Sequence, residues 1–302
     1  MKKNLIIDTD PGVDDISAIT IALYSNKFDI KLITTTAGNV GLDKTTRNIL
    51  HFLEKFGFNN IIVAKGADKP LVREIKDASI VHGEEGLGKY IPSIPNKQAI
   101  NEFAVDKMYE VIKKNKHNIT ILELGPHTNL GLLFTKYPEC EEWIDEIIFE
   151  GGSPYGKPGL KPHISFNISF DPEAADIVMK TKIKKTIIPS ELGRYTAYFT
   201  YEDIEKIKNT NSVGAFLTKM YEGYVNRYNL DIVQTNDLCT TIYMLYPEIF
   251  KTYKCNIEVD TNLMPGKTII TEDENGLVTF VEDTNRELFV EKFMHHLKNI
   301  NQ

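Results

Sequence analysis

Asp8, Asp10, Asp14 and Asp15 crowd one short run near the start of the chain, Asp8-Thr9-Asp10-Pro11-Gly12-Val13-Asp14-Asp15. Like charges this close repel and push carboxyl pKa values up unless a cation sits among them. No His or Cys lies near, so the ligands on offer are oxygens, which suit a hard cation, calcium or magnesium. One or two aspartates at a helix start would be ordinary caps or dipole partners in a solvated turn. Four are more than capping needs, and the run predicts a metal-dependent catalytic site.

The apolar run Leu5-Ile6-Ile7 ahead of the aspartates predicts a buried strand that ends at the Pro11-Gly12 step. The periodic segment from Asp14 to Leu23 predicts the helix that follows. In an open α/β sheet such a turn lies at the carboxyl end of a strand, where these folds place ligands. Strand-like and helix-like segments then alternate through two-thirds of the chain, the pattern of βαβ units and a mostly parallel sheet. Strands are expected at residues 30–36, 60–64, 119–122, 146–149 and 185–188. Helices are expected near 45–56, 99–114 and 172–179, the last capped by Asp171-Pro172-Glu173. The segment from Lys65 to Asn96 is long, rich in Gly and Pro, and weakly periodic, which marks a functional loop. Beyond residue 200 the pattern turns helical, near 201–208, 213–227 and 235–246. Two short strands, 256–259 and 277–280, and a last helix from Asn285 to about Leu297 follow. The expected fold is an open, mostly parallel, Rossmann-like sheet flanked by helices, with a helical C-terminal part.

At 302 residues, with 42% hydrophobic and 25% charged residues, the chain has the composition of an ordinary globular protein, and one domain over 1–302 is the expectation. A net charge of -7 argues against nucleic-acid and anionic-membrane partners, which need a basic face. The lysine-rich stretches 113–116 and 182–185 are short and read as solvated surface. Cys140, Cys239 and Cys255 are far apart and form no CxxC pair, so neither a disulfide framework nor a zinc site is expected. No apolar run has the length of a signal or membrane segment, and a cytoplasmic protein is expected. Tyr221, Tyr224 and Tyr228 have helical spacing and read first as core.

The strand-end turns, taken together, resemble those of the nucleoside hydrolases, the calcium-dependent N-ribosidases called inosine-uridine-preferring. The run from Asp8 to Asp15 fits that family's N-terminal DxDPGxDD signature in full. Supporting matches are Gly38-Asn39-Val40, Val81-His82-Gly83 with Gly86-Leu87-Gly88, Gly125-Pro126-His127-Thr128-Asn129, Gly151-Gly152, Phe166-Asn167-Ile168 with Asp171-Pro172-Glu173-Ala174-Ala175, and Asn236-Asp237. They cover roughly residues 4–245, in the family's order and near its spacing. The resemblance implies a homo-oligomer, dimer or tetramer, acting on a small-molecule ribonucleoside. It implies calcium held by Asp10, Asp15, the Leu124 carbonyl and Asp237, with Asp10 the general base on a calcium-bound water. It also implies ribose contacts from Asp14, Asn39 and Asn167.

This chain departs from the family at three of the quoted motifs. Glu150 stands where the family commonly has Met, and Ser165 where it has Glu. If Glu150 supplies the carboxylate absent at Ser165, the charge count of the ribose pocket is kept. Asn236 occupies the catalytic position of a His, and an amide cannot act as a protonated acid toward the leaving base. His82, Arg227, Tyr224 and Tyr228 are the candidates for activating the leaving group.

The reading from these residues is metal-dependent hydrolysis of ribonucleosides to ribose and free base. Two others stand beside it. A phosphatase of the haloacid dehalogenase type is suggested by Asp8-Thr9-Asp10 after a strand, though that loop lacks Pro11 to Asp15. A nucleoside-binding or regulatory protein with little turnover is suggested by the changes at Glu150, Ser165 and Asn236.

Overall fold

The computed structural model describes residues 2–154, 164–222 and 232–300. Its strands are β1 (Lys3–Thr9), β2 (Phe28–Thr35), β3 (Val63–Lys65), β4 (Thr120–Glu123), β5 (Glu146–Glu150), β6 (Lys184–Ile188), β7 (Tyr198–Thr200), β8 (Ile232–Gln234), β9 (Phe250–Asp260), β10 (Lys267–Glu272) and β11 (Val278–Thr284). Nine of them form one sheet in the order β10-β9-β11-β6-β5-β4-β1-β2-β3, and β7 pairs with β8. Within the large sheet only β9 runs against the rest. The helices are α1 (Val13–Tyr24), α2 (Leu42–Lys55), α3 (Ser79–His82), α4 (Ala104–Lys114), α5 (Thr128–Lys136), α6 (Phe166–Phe170), α7 (Pro172–Lys180), α8 (Ser190–Tyr195), α9 (Tyr201–Lys208), α10 (Ser212–Tyr221), α11 (Asn236–Leu245) and α12 (Arg286–Lys298).

Apolar side chains separate into two cores, one on each face of the sheet. One gathers Ile16, Phe52, Leu217, Leu238 and Phe289 from α1, α2, α10, α11 and α12. The other gathers Met108, Leu130 and Val178 from α4, α5 and α7. Leu5, Ile6 and Ile7 are fully buried because β1 is covered on both faces, which is why its sequence is continuously apolar rather than alternating. From β1 the chain passes to β2 on one side and later to β4 on the other. Loops leaving the carboxyl ends of β1 and β4 therefore diverge, and the crevice between them is the ligand position of a doubly wound sheet.

The local signals act as their chemistry dictates. Asp171 caps α7 by accepting from the Ala174 N–H at 3.1 Å, with Pro172 at the first helical position. Thr200 and Asp203 form a reciprocal capping box on α9.

The structure corrects several expectations. α4 begins at Ala104 rather than near residue 99, because Ile100 is drawn into a parallel bridge with Ala64. The region after 250 has three strands, not two. β10 is an edge strand with one buried side chain in six, which leaves it little hydrophobic pattern. Lys185, expected at the surface, is only 1% exposed. Its Nζ donates to the carbonyls of Thr181 at 2.6 Å and Ile183 at 3.0 Å, and burial brings its pKa down to about 8. Lys184, at the start of β6, stays exposed, whereas Lys185 and the three residues after it are all covered. All three cysteines are buried and unpaired in disulfides. Among the described residues no helix is long and apolar enough to cross a membrane.

Candidate active site

Beyond the last residue of β1 the chain turns sharply and re-enters as α1. Asp15 closes that turn: its Oδ1 accepts from Thr9 Oγ1 at 2.6 Å and its Oδ2 from the Gly12 N–H at 2.9 Å. Asp237, the second residue of α11, arrives from the far end of the chain because α11 packs against α1. Asp14, Asp15 and Asp237 each offer a carboxylate oxygen within 4.8 Å of the others, all buried.

Asp10 stands on the β2 side of this cluster. Its Oδ2 accepts from the Asn39 N–H at 2.6 Å. That approach requires glycine before Asn39, since a Cβ on Gly38 would lie 2.0 Å from Asp10 Oδ2. Asn39 Nδ2 donates to Asp10 O and Asp15 Oδ2, both at 3.1 Å, so one amide ties the two ends of the turn. Asp8 belongs to a supporting layer on the other face. Its Oδ1 accepts from Thr34 Oγ1 at 2.5 Å and Asn129 Nδ2 at 2.8 Å. In that layer the fully buried Glu123 and His127 approach to 3.3 Å, without the alignment of a hydrogen bond.

The electrostatics follow from burial. Desolvation, then repulsion from Asp15, holds Asp10 well above the ordinary carboxyl range. Asp14 is pushed up to about 7 by desolvation and the Asp15 charge. Asp237 is raised by desolvation and then by Asp14, Asp15, Glu150 and Asp10. Asp10 Oδ1 and Asp14 Oδ1 are buried and have no hydrogen-bond partner among the described residues. Orphaned oxygens whose charge, among the described residues, is opposed by neighbouring carboxylates and offset by no ammonium or guanidinium fit a hard divalent cation, and these carboxylates offer no softer atom.

The rest of the pocket wall comes from the ends of β4, β5 and β6. Asn167 Nδ2 donates to the Leu124 carbonyl at 2.7 Å and to Glu150 Oε2 at 2.9 Å. Glu150 Oε1 accepts from Ser190 Oγ at 2.6 Å. Desolvation, with repulsion from Asp14, Glu191 and Asp15, pushes the Glu150 carboxyl up to about 8. Ser165 is fully buried, and its Oγ accepts from the Gly152 N–H at 2.8 Å, bracing the turn after β5. His82 is buried at the end of α3, its Nδ1 accepting from the Val13 N–H at 3.4 Å and 4.0 Å from Asp14 Oδ1.

A model of the inosine-uridine preferring nucleoside hydrolase family matches residues 5–291. The chain belongs to that family. Over 269 residues it is 34% identical to the non-specific ribonucleoside hydrolase RihC of Salmonella paratyphi B, covering 88% of this chain and 87% of the relative. Its fold superposes on a plant nucleoside hydrolase with a TM-score of 0.91 at 28% identity, covering 99% of this chain and 100% of the other. A purine-preferring ribonucleoside hydrolase from Gardnerella vaginalis gives a TM-score of 0.89 at 27% identity, with 98% of each chain covered. The chain is thus an N-glycosyl hydrolase of ribonucleosides, and the expectation of a phosphatase loop is set aside.

In this nucleoside hydrolase, Asp10, Asp14, Asp15, Asn39, His82, Glu150, Asn167, Asp237 and the Leu124 carbonyl converge on the crevice beyond β1 and β4. Asn236 is half-buried beside Asp237 with its Oδ1 against Gly193, where a Cβ would come within 2.4 Å. Tyr224, Arg227 and Tyr228 lie outside the described residues. Tyr221 is core, as its spacing suggests, and its hydroxyl meets Ser17 Oγ at 2.7 Å. Sequence reasoning missed Thr9, Ser190 and Glu191. Glu191 is buried with Oε1 accepting from Ser153 Oγ at 2.5 Å. Ser190 and Glu191 carried one signal, their place at the end of a predicted strand.

Proposed function

We propose that Asp10 takes the proton from the water that attacks the anomeric carbon, while Asp14 and Asn167 hold ribose hydroxyls. The observation that carries this reading is the division of labour in Asp10: one carboxylate oxygen is fixed by the Asn39 N–H and the other is buried without a partner. A base so held is oriented before the substrate arrives. Asp14 Oδ1, equally unpartnered, is an acceptor for a sugar hydroxyl.

As the ribosyl C–N bond breaks, the sugar gains oxocarbenium character, and the surrounding carboxylates stabilise that positive charge. Asp10, Asp15, Asp237 and the Leu124 carbonyl, with Asp14 beside them, would hold calcium, which when bound supplies charge compensation and orients water and the vicinal diol. Asn236 has no acidic proton to give, so protonation of the departing base falls to His82, Tyr224 or Tyr228, with Arg227 able to activate it by hydrogen bonding and charge. The protein is proposed to act in the cytoplasm as a homo-oligomer, dimer or tetramer, with no nucleic-acid or membrane partner.

The test is a panel of ribonucleosides, 2′-deoxyribonucleosides and nicotinamide riboside assayed for sugar release with and without a chelator. Chelator-sensitive release from ribonucleosides supports the reading. Tight nucleoside binding with no base released over hours, calcium present, would instead establish a binding protein.

A further inference from the structure

Glu150 is a buried carboxylate that the proposed chemistry does not use. It occupies the last position of β5, outside the aspartate turn, in a pocket that already carries Asp14 and Asp15. A further acidic group beside these, Asp237 and Glu191 adds repulsion, so its presence calls for a compensating task.

Its contacts supply one. The two hydrogens of the Asn167 amide go to the Leu124 carbonyl at 2.7 Å and to Glu150, whose Oε2 at 2.9 Å is nearer than its backbone carbonyl at 3.4 Å. Rotating the amide by half a turn would set its own carbonyl oxygen against both acceptors, so chemistry allows only the one orientation. Ser190 Oγ donates to Glu150 Oε1 at 2.6 Å and keeps the carboxylate from turning. With both hydrogens spent, what Asn167 has left to offer a ligand is its carbonyl oxygen, an acceptor.

We infer that Glu150 is a positioning residue for sugar recognition, locking the Asn167 amide so that its carbonyl oxygen accepts from a hydroxyl of the 2′,3′ diol. The inference rests on the reading of this crevice as a ribose site. It makes hydrogen-bond acceptance, not negative charge, the property required at position 150. Glutamine satisfies that requirement: its Oε1 can accept from Asn167 while its amide donates to the Ser190 hydroxyl. Methionine does not, and it leaves that Asn167 hydrogen only the more distant backbone carbonyl of residue 150, at 3.4 Å.

The experiment compares wild type, Glu150→Gln and Glu150→Met at saturating calcium, measuring kcat and KM for inosine and for 2′-deoxy- and 3′-deoxyinosine. For Glu150→Met, KM for inosine should rise roughly tenfold with kcat changed less, and the preference over at least one deoxy form should shrink by a similar factor. Glu150→Gln should stay within about threefold of wild type on both readouts. Unchanged KM and preference in Glu150→Met, or equal damage in Glu150→Gln, overturns the inference. If Glu150→Met does not fold, Glu150→Gln decides alone: wild-type KM and preference support hydrogen-bond positioning, and a tenfold rise in KM refutes it. Absence of both base release and nucleoside binding by the wild type would bring down the ribose-site reading itself, an outcome distinct from either variant result.

Discussion

Replacing Asp10 with asparagine removes a charge and a proton acceptor while preserving shape. The Asn39 N–H, 2.6 Å from Oδ2, forces the new amide to keep its oxygen on that side. The amide nitrogen must then take the place of the unpartnered Oδ1, turning an acceptor into a donor where the attacking water would deliver its proton. Losing a positioned general base costs roughly two to four decades in kcat, or about 2.7 to 5.4 kcal/mol of transition-state stabilisation. The fold should persist, because burial and the Asp15 charge already disfavour the ionised form of Asp10 in the cation-free protein. The assay is steady-state base release from the best ribonucleoside of the panel at saturating calcium, with a thermal melt of the same sample. The expected result is a kcat lowered by at least a hundredfold with a melting temperature equal to or above that of the cation-free wild type. A kcat within about tenfold of wild type would remove Asp10 from the base role and hand it to another carboxylate of the cluster.

Three further outcomes are expected. Chelation should abolish turnover and calcium should restore it better than magnesium, whose strict octahedral shell suits this crowded oxygen set poorly; full activity after exhaustive chelation would contradict the site. In the chelated protein, carboxyl pKa values raised by burial, to about 7 at Asp14 and about 8 at Asp8 and Glu150, lie above their unfolded values. Stability from these groups is therefore complete below the unfolded pKa and is lost as pH rises through the folded one, so the melting temperature should fall from pH 5 to pH 8, and calcium should lessen the fall. A melting temperature that rises over this interval would refute the electrostatic account. Gly38→Ala, which sets a Cβ 2.0 Å from Asp10 Oδ2, should displace the Asp10 carboxylate and lower kcat at least tenfold, a loss read from the same base-release assay.

The sheet and its first crevice were readable because each signal is local. An uninterrupted apolar triplet, a Pro-Gly break and a capped helix are each decided within a few residues by burial and backbone sterics. Asp10, Asp14 and Asp15 were readable for the same reason, since the chain itself brings them together. The edge strand β10 and the short helices α3, α6 and α8 were not, because a strand with one buried residue in six or a helix of a single turn has almost no periodicity to show. Lys185 was misread because its neighbours in sequence are solvated. Its own burial comes from its place in a strand covered on both faces and from carbonyls that accept its ammonium hydrogens.

Composition, periodicity and one acidic run determined the layered parallel sheet and the presence of an oxygen-rich site at its edge. The family resemblance named Asp237, the Leu124 carbonyl, Asn167 and Glu150 as distant members of that site, but only the tertiary structure decided how they meet. It brings Asp237 to α1 by packing α11 against it, turns Glu150 and Asn167 toward one another from β5 and α6, and assigns Asp8 to a supporting layer with Thr34 and Asn129. The physical reason is that proximity in sequence is enough to crowd charges, whereas the direction in which a carboxylate spends its lone pairs depends on donors that arrive from elsewhere in the chain.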